Sequence, residues 1–155
     1  MRTNKVIWSE GLFLRPQLFQ QQERYFEYYA HKRAATISPF FWGFAQYDID
    51  LEALSYGKLV LRAGRGVLPD GTPFDIPGHA ELPEPLTITP DHLGQLIFLA
   101  VPLRLDNSDE TIFDLSDSGS LARFAAFETE LSDTNAIRQG PKPVQLARLR
   151  LNLVS

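Results

Sequence analysis

Three carboxylates, Asp48, Asp50 and Glu52, recur at every second position in the first half of the chain. Two carboxyl groups on one strand face can serve as acid and base on a glycosidic bond if they flank a cleft. The same spacing marks the solvated side of a half-buried strand, and that is the favoured reading. Asp114-Leu115-Ser116-Asp117-Ser118-Gly119 begins like a calcium loop, with oxygens at alternate positions before a glycine. The twelfth position of such a loop supplies a bidentate glutamate. Ala125 stands there, so the segment reads as a plain loop. His31, His79 and His92 fall in a helical stretch, a proline-rich loop and a loop before a strand. None has a partner at the short spacing of paired metal ligands. Gly64-Arg65-Gly66 lacks the third glycine and the following helix of a dinucleotide-binding turn. No G-x-S-x-G nucleophile elbow occurs. With no cysteine, disulfides, thiolate nucleophiles and thiolate metal sites are all excluded. The residues thus point to no catalytic set, no metal and no cofactor.

The costly residues are concentrated elsewhere. The run from Val6 to Tyr25 packs Trp8, Phe13, Phe19 and Tyr25 among Gln17, Gln20, Gln21 and Gln22. A segment of that kind buries surface against something. The whole chain has 155 residues, 44% hydrophobic and 22% charged, enough for one domain with its own core. Its net charge of −4, with both signs interspersed, argues against nucleic acid as a partner. No basic stretch followed by an apolar one opens the chain, and no apolar run is long enough to insert in a bilayer. The reading is a soluble, cytoplasmic protein.

Periodicity supplies the elements. Residues 1–15 read as an extended arm with a short strand near Lys5-Val6-Ile7-Trp8, interrupted by Gly11. Pro16 suits the first position of a helix. From there to about Ala35, Leu18, Phe19, Tyr25, Phe26, Tyr29 and Ala30 recur at helical spacing, with Gln17, Gln20, Glu23, Arg24 and Glu27 on much of the other side. The favoured reading packs this stripe of Leu18, Phe19, Tyr25, Phe26 and Tyr29 against the sandwich; the alternative is that part of it meets another chain, with Tyr28 widening the aromatic arc. Residues 42–50 alternate as a half-buried strand, and 51–56 fit one or two helical turns. Residues 58–68 form a strand in which Gly64 and Gly66 mark a bulge or a close approach, with Arg65 at the bulge. Pro69-Asp70-Gly71-Thr72 is a turn, and 73–76 return as its partner strand. Residues 77–90, with four prolines, are irregular or edge structure, and 95–105 suit a central strand. Residues 107–120 and 133–143 read as loops, 121–131 fits helix or strand equally, and 144–154 alternates cleanly. One helix followed by strands favours a mainly β chain, an antiparallel β-sandwich with one N-terminal amphipathic helix. The division is an arm over 1–15, a helix over 16–35 and a sandwich over 40–155, in a single domain that belongs to something longer.

Residues Trp8 to Tyr25 resemble the N-terminal signature of the TssK (ImpJ/VasE) family, baseplate subunits of the bacterial type VI secretion system. Gly64 to Phe74 is a supporting match, and Val144 to Leu153 a generic one. Leu18 stands where the family carries a histidine, and Arg123 to Leu131 is less charged than its usual strand. The resemblance implies a β-sandwich like the shoulder of tailed-phage receptor-binding proteins. It makes 121–131 a strand. It implies a cytoplasmic homotrimeric adaptor that attaches to the wedge of TssF and TssG, while C-terminal parts reach the membrane complex of TssJ, TssL and TssM. The expected partner contacts are Trp8 as anchor, Phe13, Arg15 as donor, and Gln17, Gln20 and Gln21 as amide hydrogen-bonders. In the alternative, Trp8 and Phe13 pin the arm to its own sandwich. A carbohydrate-binding β-sandwich is the competing function, seeded on Trp42 and Tyr47. A hydrolase using Asp48 and Asp50 is a third.

Overall fold

The structure, a computed structural model, describes residues 3–106, 108–113 and 120–155. Helix α1 spans Pro16–Ile37, followed by strand β1 (Gly43–Ile49) and the short helix α2 (Leu51–Ser55). Then come β2 (Lys58–Leu59), β3 (Leu61–Val67), β4 (Pro73–Ile76) and β5 (Leu86–Thr87). A turn of 3₁₀ helix, Pro90–His92, precedes β6 (Phe98–Ala100) and β7 (Thr111–Ile112). Strand β8 (Phe124–Ser132) is joined through a second 3₁₀ turn to β9 (Pro141–Leu149), and β10 (Asn152–Val154) follows. Among the described residues the strands form four small sheets, ordered β1-β3-β4, β6-β10, β2-β5 and β7-β8-β9. The chain is mainly β with one long helix, as its alternations predict.

The chain divides into two compact units, one of residues 1–46 with 65–74, the other of 47–64 with 75–155. In the first, Val6, Leu68 and Phe74 are buried. Phe44 meets Phe74 edge-on at 5.3 Å between ring centroids. The expected close approach is found at Gly66, where an added Cβ would overlap the Gly43 carbonyl oxygen and lie 2.8 Å from Phe74 Cζ. Arg65, read as a bulge, lies in a continuous strand and donates to the Gln46 side-chain oxygen instead. The turn 69–72 forms as predicted, with Gly71 N–H donating to Leu68 and the Asp70 carboxylate accepting from Thr72 N–H. Gly71 holds a positive φ of 87°, and a Cβ there would strike the His31 ring. That ring stands edge-on to Phe41 at 5.3 Å. His31 is therefore a packing residue between α1 and the turn.

In the second unit the core is Leu61, Ile76, Ala80, Ala122, Ala125, Leu149 and Leu151. The segment that fitted helix and strand equally is β8, paired antiparallel with β9 from Phe124↔Leu149 to Ser132↔Pro141. Buried Arg123 donates to the Pro102 carbonyl at 2.9 Å. Arg150 clamps the carbonyls of Ser120 and Ala122, each at 2.9 Å. Asp50 caps α2 by accepting from Ala53 N–H at 2.9 Å and receives the Arg62 guanidinium at 2.7 Å. The Ala53 hydrogen bond, then Arg62, hold the Asp50 carboxyl below its ordinary value of 3.8. A depressed pKa stabilises the fold above the unfolded-state value and ceases to do so as pH falls through the folded one. Asp50→Asn is therefore expected to flatten the acid limb of a melting-temperature profile between about pH 2 and 5. An unchanged slope would remove Asp50 from that limb.

Several expectations are corrected. Residues 5–8 pair with no strand among the described residues, and Gly11 turns the chain with Leu12 N–H on the Ser9 carbonyl. β1 is a strand, but its residues from Phe44 to Asp48 are exposed on both faces. Only Phe98–Ala100 of the apolar run 95–105 pairs, because its partner β10 is three residues long. β7 lies within a segment read as loop, and β9 begins at Pro141 rather than Val144. The calcium-like segment 114–119 lies outside the described residues.

Candidate functional site

The arm and the first turns of α1 build one surface. Pro16 occupies the first helical turn and fixes its φ without needing an N–H. Arg15, in the cap position, is extended and makes no side-chain cap. Its guanidinium lies over the Phe13 ring, 5.7 Å from the centroid. Trp8 leans on Phe19 one turn into the helix, with ring centroids 6.0 Å apart. Gln21 donates to the Asn4 carbonyl at 2.7 Å, which ties the arm to the helix. Leu14, Arg15, Pro16, Phe19, Gln20 and Glu23 line a shallow open groove beside this contact.

Burial separates the roles. Val6, outside the six expected contact residues, is the arm residue that is buried. Trp8 keeps 47% of its surface exposed and Phe13 keeps 76%. Arg15, Gln17 and Gln20 are exposed, and Gln21 is half-buried. The six expected contact residues thus lie together on the arm and the start of α1, with Trp8 resting on the helix rather than on a sheet.

Phe19, Leu14 and Glu23 were not among them. Phe19 had been assigned to a stripe facing a sheet, but none of the residues in α1 is buried. The half-buried side carries Leu18, Gln21, Gln22, Arg24, Tyr25 and His31. Phe19, Phe26 and Ile37 are exposed, and helical spacing places these three on one line. Tyr29, also exposed, stacks on Tyr25 with ring centroids 6.2 Å apart. The second apolar line, about 100° round the helix from Leu18 and Tyr25, was the available signal. Toward the end of α1, Lys32 stacks on Tyr28 and Arg33 on Tyr29.

The chemistry of these groups is that of contact. Exposed aromatics, a guanidinium and long amides are the groups enriched in protein interfaces; they hold no nucleophile and base within reach of each other. Asp50 has its carboxylate oxygens on Ala53 N–H and Arg62, the arrangement of a helix cap. Among the described residues no group of His, Asp and Glu is placed to hold a metal ion, and no helix is long and apolar enough to cross a membrane. Trp42 and Tyr47 are exposed, 49% and 62%.

The family described as Bacterial Type VI secretion, VC_A0110, EvfL, ImpJ, VasE matches residues 18–155. The chain belongs to this family, that of TssK. Type VI secretion system baseplate component TssK1 of Pseudomonas aeruginosa is 37% identical over 152 residues, 98% of this chain and 34% of that protein. A crystal structure of TssK matches with a TM-score of 0.84 at 40% identity, over 98% of this chain and 34% of that one. A chain of the TssK–TssF–TssG baseplate subcomplex, determined by cryo-electron microscopy, matches with a TM-score of 0.77 at 25% identity, over 99% and 51%. This TssK-family chain therefore spans about a third of the length of the curated relative and of the TssK crystal structure. The mainly β class with one main helix is that of these TssK structures.

Proposed function

We propose that the chain is a shoulder domain of a baseplate adaptor, which works by being gripped by neighbouring proteins and not by catalysis. Its arm and the first turns of α1 attach to a wedge of TssF and TssG through Trp8, Phe13, Arg15, Gln17, Gln20 and Gln21. The longer protein acts as a cytoplasmic homotrimer whose remaining parts reach the membrane complex of TssJ, TssL and TssM. The observation that carries this reading is the likeness over 99% of the chain to a chain of the TssK–TssF–TssG subcomplex. The physical support is local. Trp8, Phe13, Leu14 and Phe19 are all exposed large hydrophobics, grouped beside Arg15. Aromatic and arginine side chains grouped in this way are the usual anchors of protein interfaces.

The test is co-purification of the full-length protein with a TssF–TssG complex. Association in a stable complex is the expected result. A protein that stays folded by circular dichroism and does not associate overturns the wedge reading.

A further inference from the structure

β8 and β9 form a two-stranded ribbon whose outer edges differ. Their pairing is uninterrupted from Phe124↔Leu149 to Ser132↔Pro141. Just before it, Arg150 N–H donates inward to the Arg123 carbonyl, while Phe124 N–H turns outward to the Glu110 carbonyl. Hydrogen-bonding direction alternates along an antiparallel strand. Ala126, Glu128, Glu130 and Ser132 therefore aim their N–H and C=O groups at the outer edge, as Phe124 does. Among the described residues, β7 covers that edge at Phe124 and Ala125 and no further. On β9 the outward positions are Pro141, Pro143, Gln145, Ala147 and Leu149. The first two have no N–H to offer, and Leu149 is bridged to Ala80. Prolines blunt an edge against pairing. β9 is guarded in this way; among the described residues no strand pairs with the outward groups of β8 from Ala126 to Ser132.

The side chains select what can pair there. Glu128 and Glu130 share one face of the ribbon with Ala126, Ser132, Pro143, Gln145 and Ala147, a row without a cation. The opposite face carries Phe127, Thr129, Leu131, Val144 and Leu146, with Leu131 and Leu146 exposed, and also Lys142 across from Leu131 and Arg148, whose guanidinium lies 4.2 Å over the Phe127 ring. A strand added to β8 would set alternate residues against the two glutamates and lay the others, uncharged, beside Phe127, Thr129 and Leu131. Opposite charges across a strand pair stabilise it, and like charges oppose it. A second β8 strand would bring glutamates to glutamates.

We propose that the β8 edge from Ala126 to Ser132 takes up an extended segment of another protein that alternates basic and apolar residues, as an added strand. This surface is distinct from the arm, and the proposal does not depend on the wedge reading.

The probe is a capped eight-residue peptide alternating Lys and Val, with a Glu–Val peptide as its counterpart, added to the full-length protein. The Lys–Val peptide is expected to bind at least tenfold more tightly than the Glu–Val one. It should slow hydrogen exchange at the amides of Ala126, Glu128, Glu130 and Ser132 by a similar factor. The double variant E128K/E130K should reverse the preference. E130P and E130Q lose the same charge, but only E130P loses the outward N–H, and that N–H is no part of the β8–β9 ladder. E130P should abolish binding and E130Q should weaken it less than E130P does. If E130P does not fold, the reversal by E128K/E130K decides alone. Absence of binding, slowed exchange elsewhere, or equal loss in E130P and E130Q would overturn the proposal. Self-association of the free protein that E130P abolishes would assign the edge to a second copy and overturn it equally.

Discussion

Gly66→Ala is expected to destabilise the protein by about 3 kcal/mol, and to lower its melting temperature by roughly 10 °C. The direction is opposite to the usual effect of replacing glycine within a strand, where alanine recovers about 0.5–1 kcal/mol of backbone entropy. The new methyl group at Gly66 would overlap the Gly43 carbonyl oxygen and sit 2.8 Å from Phe74 Cζ. Phe74 is buried and stands edge-on to Phe44, so it has little room to turn aside. The Gly43 oxygen belongs to the backbone of the neighbouring strand, so relief requires β1 and β3 to separate. Gly78→Ala is the control, since its added Cβ meets only the Asp75 carboxyl group at ordinary distances of 3.5–3.6 Å. It should change stability by less than about 1 kcal/mol. Denaturant melts of both variants decide the matter. Equal stability of Gly66→Ala and wild type would mean that β1 and β3 do not lie as close as described.

Short-range chemistry is readable from sequence; long-range pairing is not. Pro16 and Pro69-Asp70-Gly71-Thr72 act within a few residues of themselves, and the helix start and the turn lie where they point. Asp50, one of a row of carboxylates in the sequence, is the cap of α2. Leu121 to Leu131 satisfied both periods equally, and only its partner decides between them. Beside β9 it is a strand; nothing in its own residues supplies that information. The apolar run 95–105 erred the other way. Its composition suits a central strand, but a three-residue partner limits pairing to Phe98–Ala100. Burial was the least legible quantity. Trp8 carries the larger ring, yet the smaller Val6 is the arm residue that becomes buried. On α1 the apolar residues divide between two lines, and Gln21 and Gln22 lie on the half-buried side, where Gln21 satisfies its amide on the Asn4 carbonyl. A pattern that equates apolar with inside cannot foresee that exchange. The residues proposed for contact on the arm stand out in the sequence as a cluster by composition. Leu14 and Glu23 joined them only when the helix placed them along one groove.

The double substitution Trp8→Ala with Arg15→Glu is expected to weaken association with a TssF–TssG complex at least 100-fold while leaving the melting temperature nearly unchanged. The first half follows from the cost of removing interface anchors. Truncating a buried aromatic anchor costs about 2 kcal/mol or more, and unpairing a desolvated arginine about 2–5 kcal/mol. Such losses are not additive within one cluster. Even about 2.7 kcal/mol is a factor of 100. The second half follows from where the two side chains lie in the free protein. Trp8 is half exposed and touches the Phe19 ring, and Arg15 is exposed and stacked on Phe13, so neither supports a core. Val6 and the Gln21–Asn4 hydrogen bond still hold the arm in both proteins. Val6→Asp inverts the expectation: it should release the arm and weaken association with both anchors intact, because a carboxylate at a buried position carries a desolvation cost. Affinity for TssF–TssG measured by biolayer interferometry, beside thermal melts of each variant, separates contact from support. If Trp8→Ala with Arg15→Glu binds within threefold of wild type, the arm is not the gripped surface, whatever the rest of the molecule does.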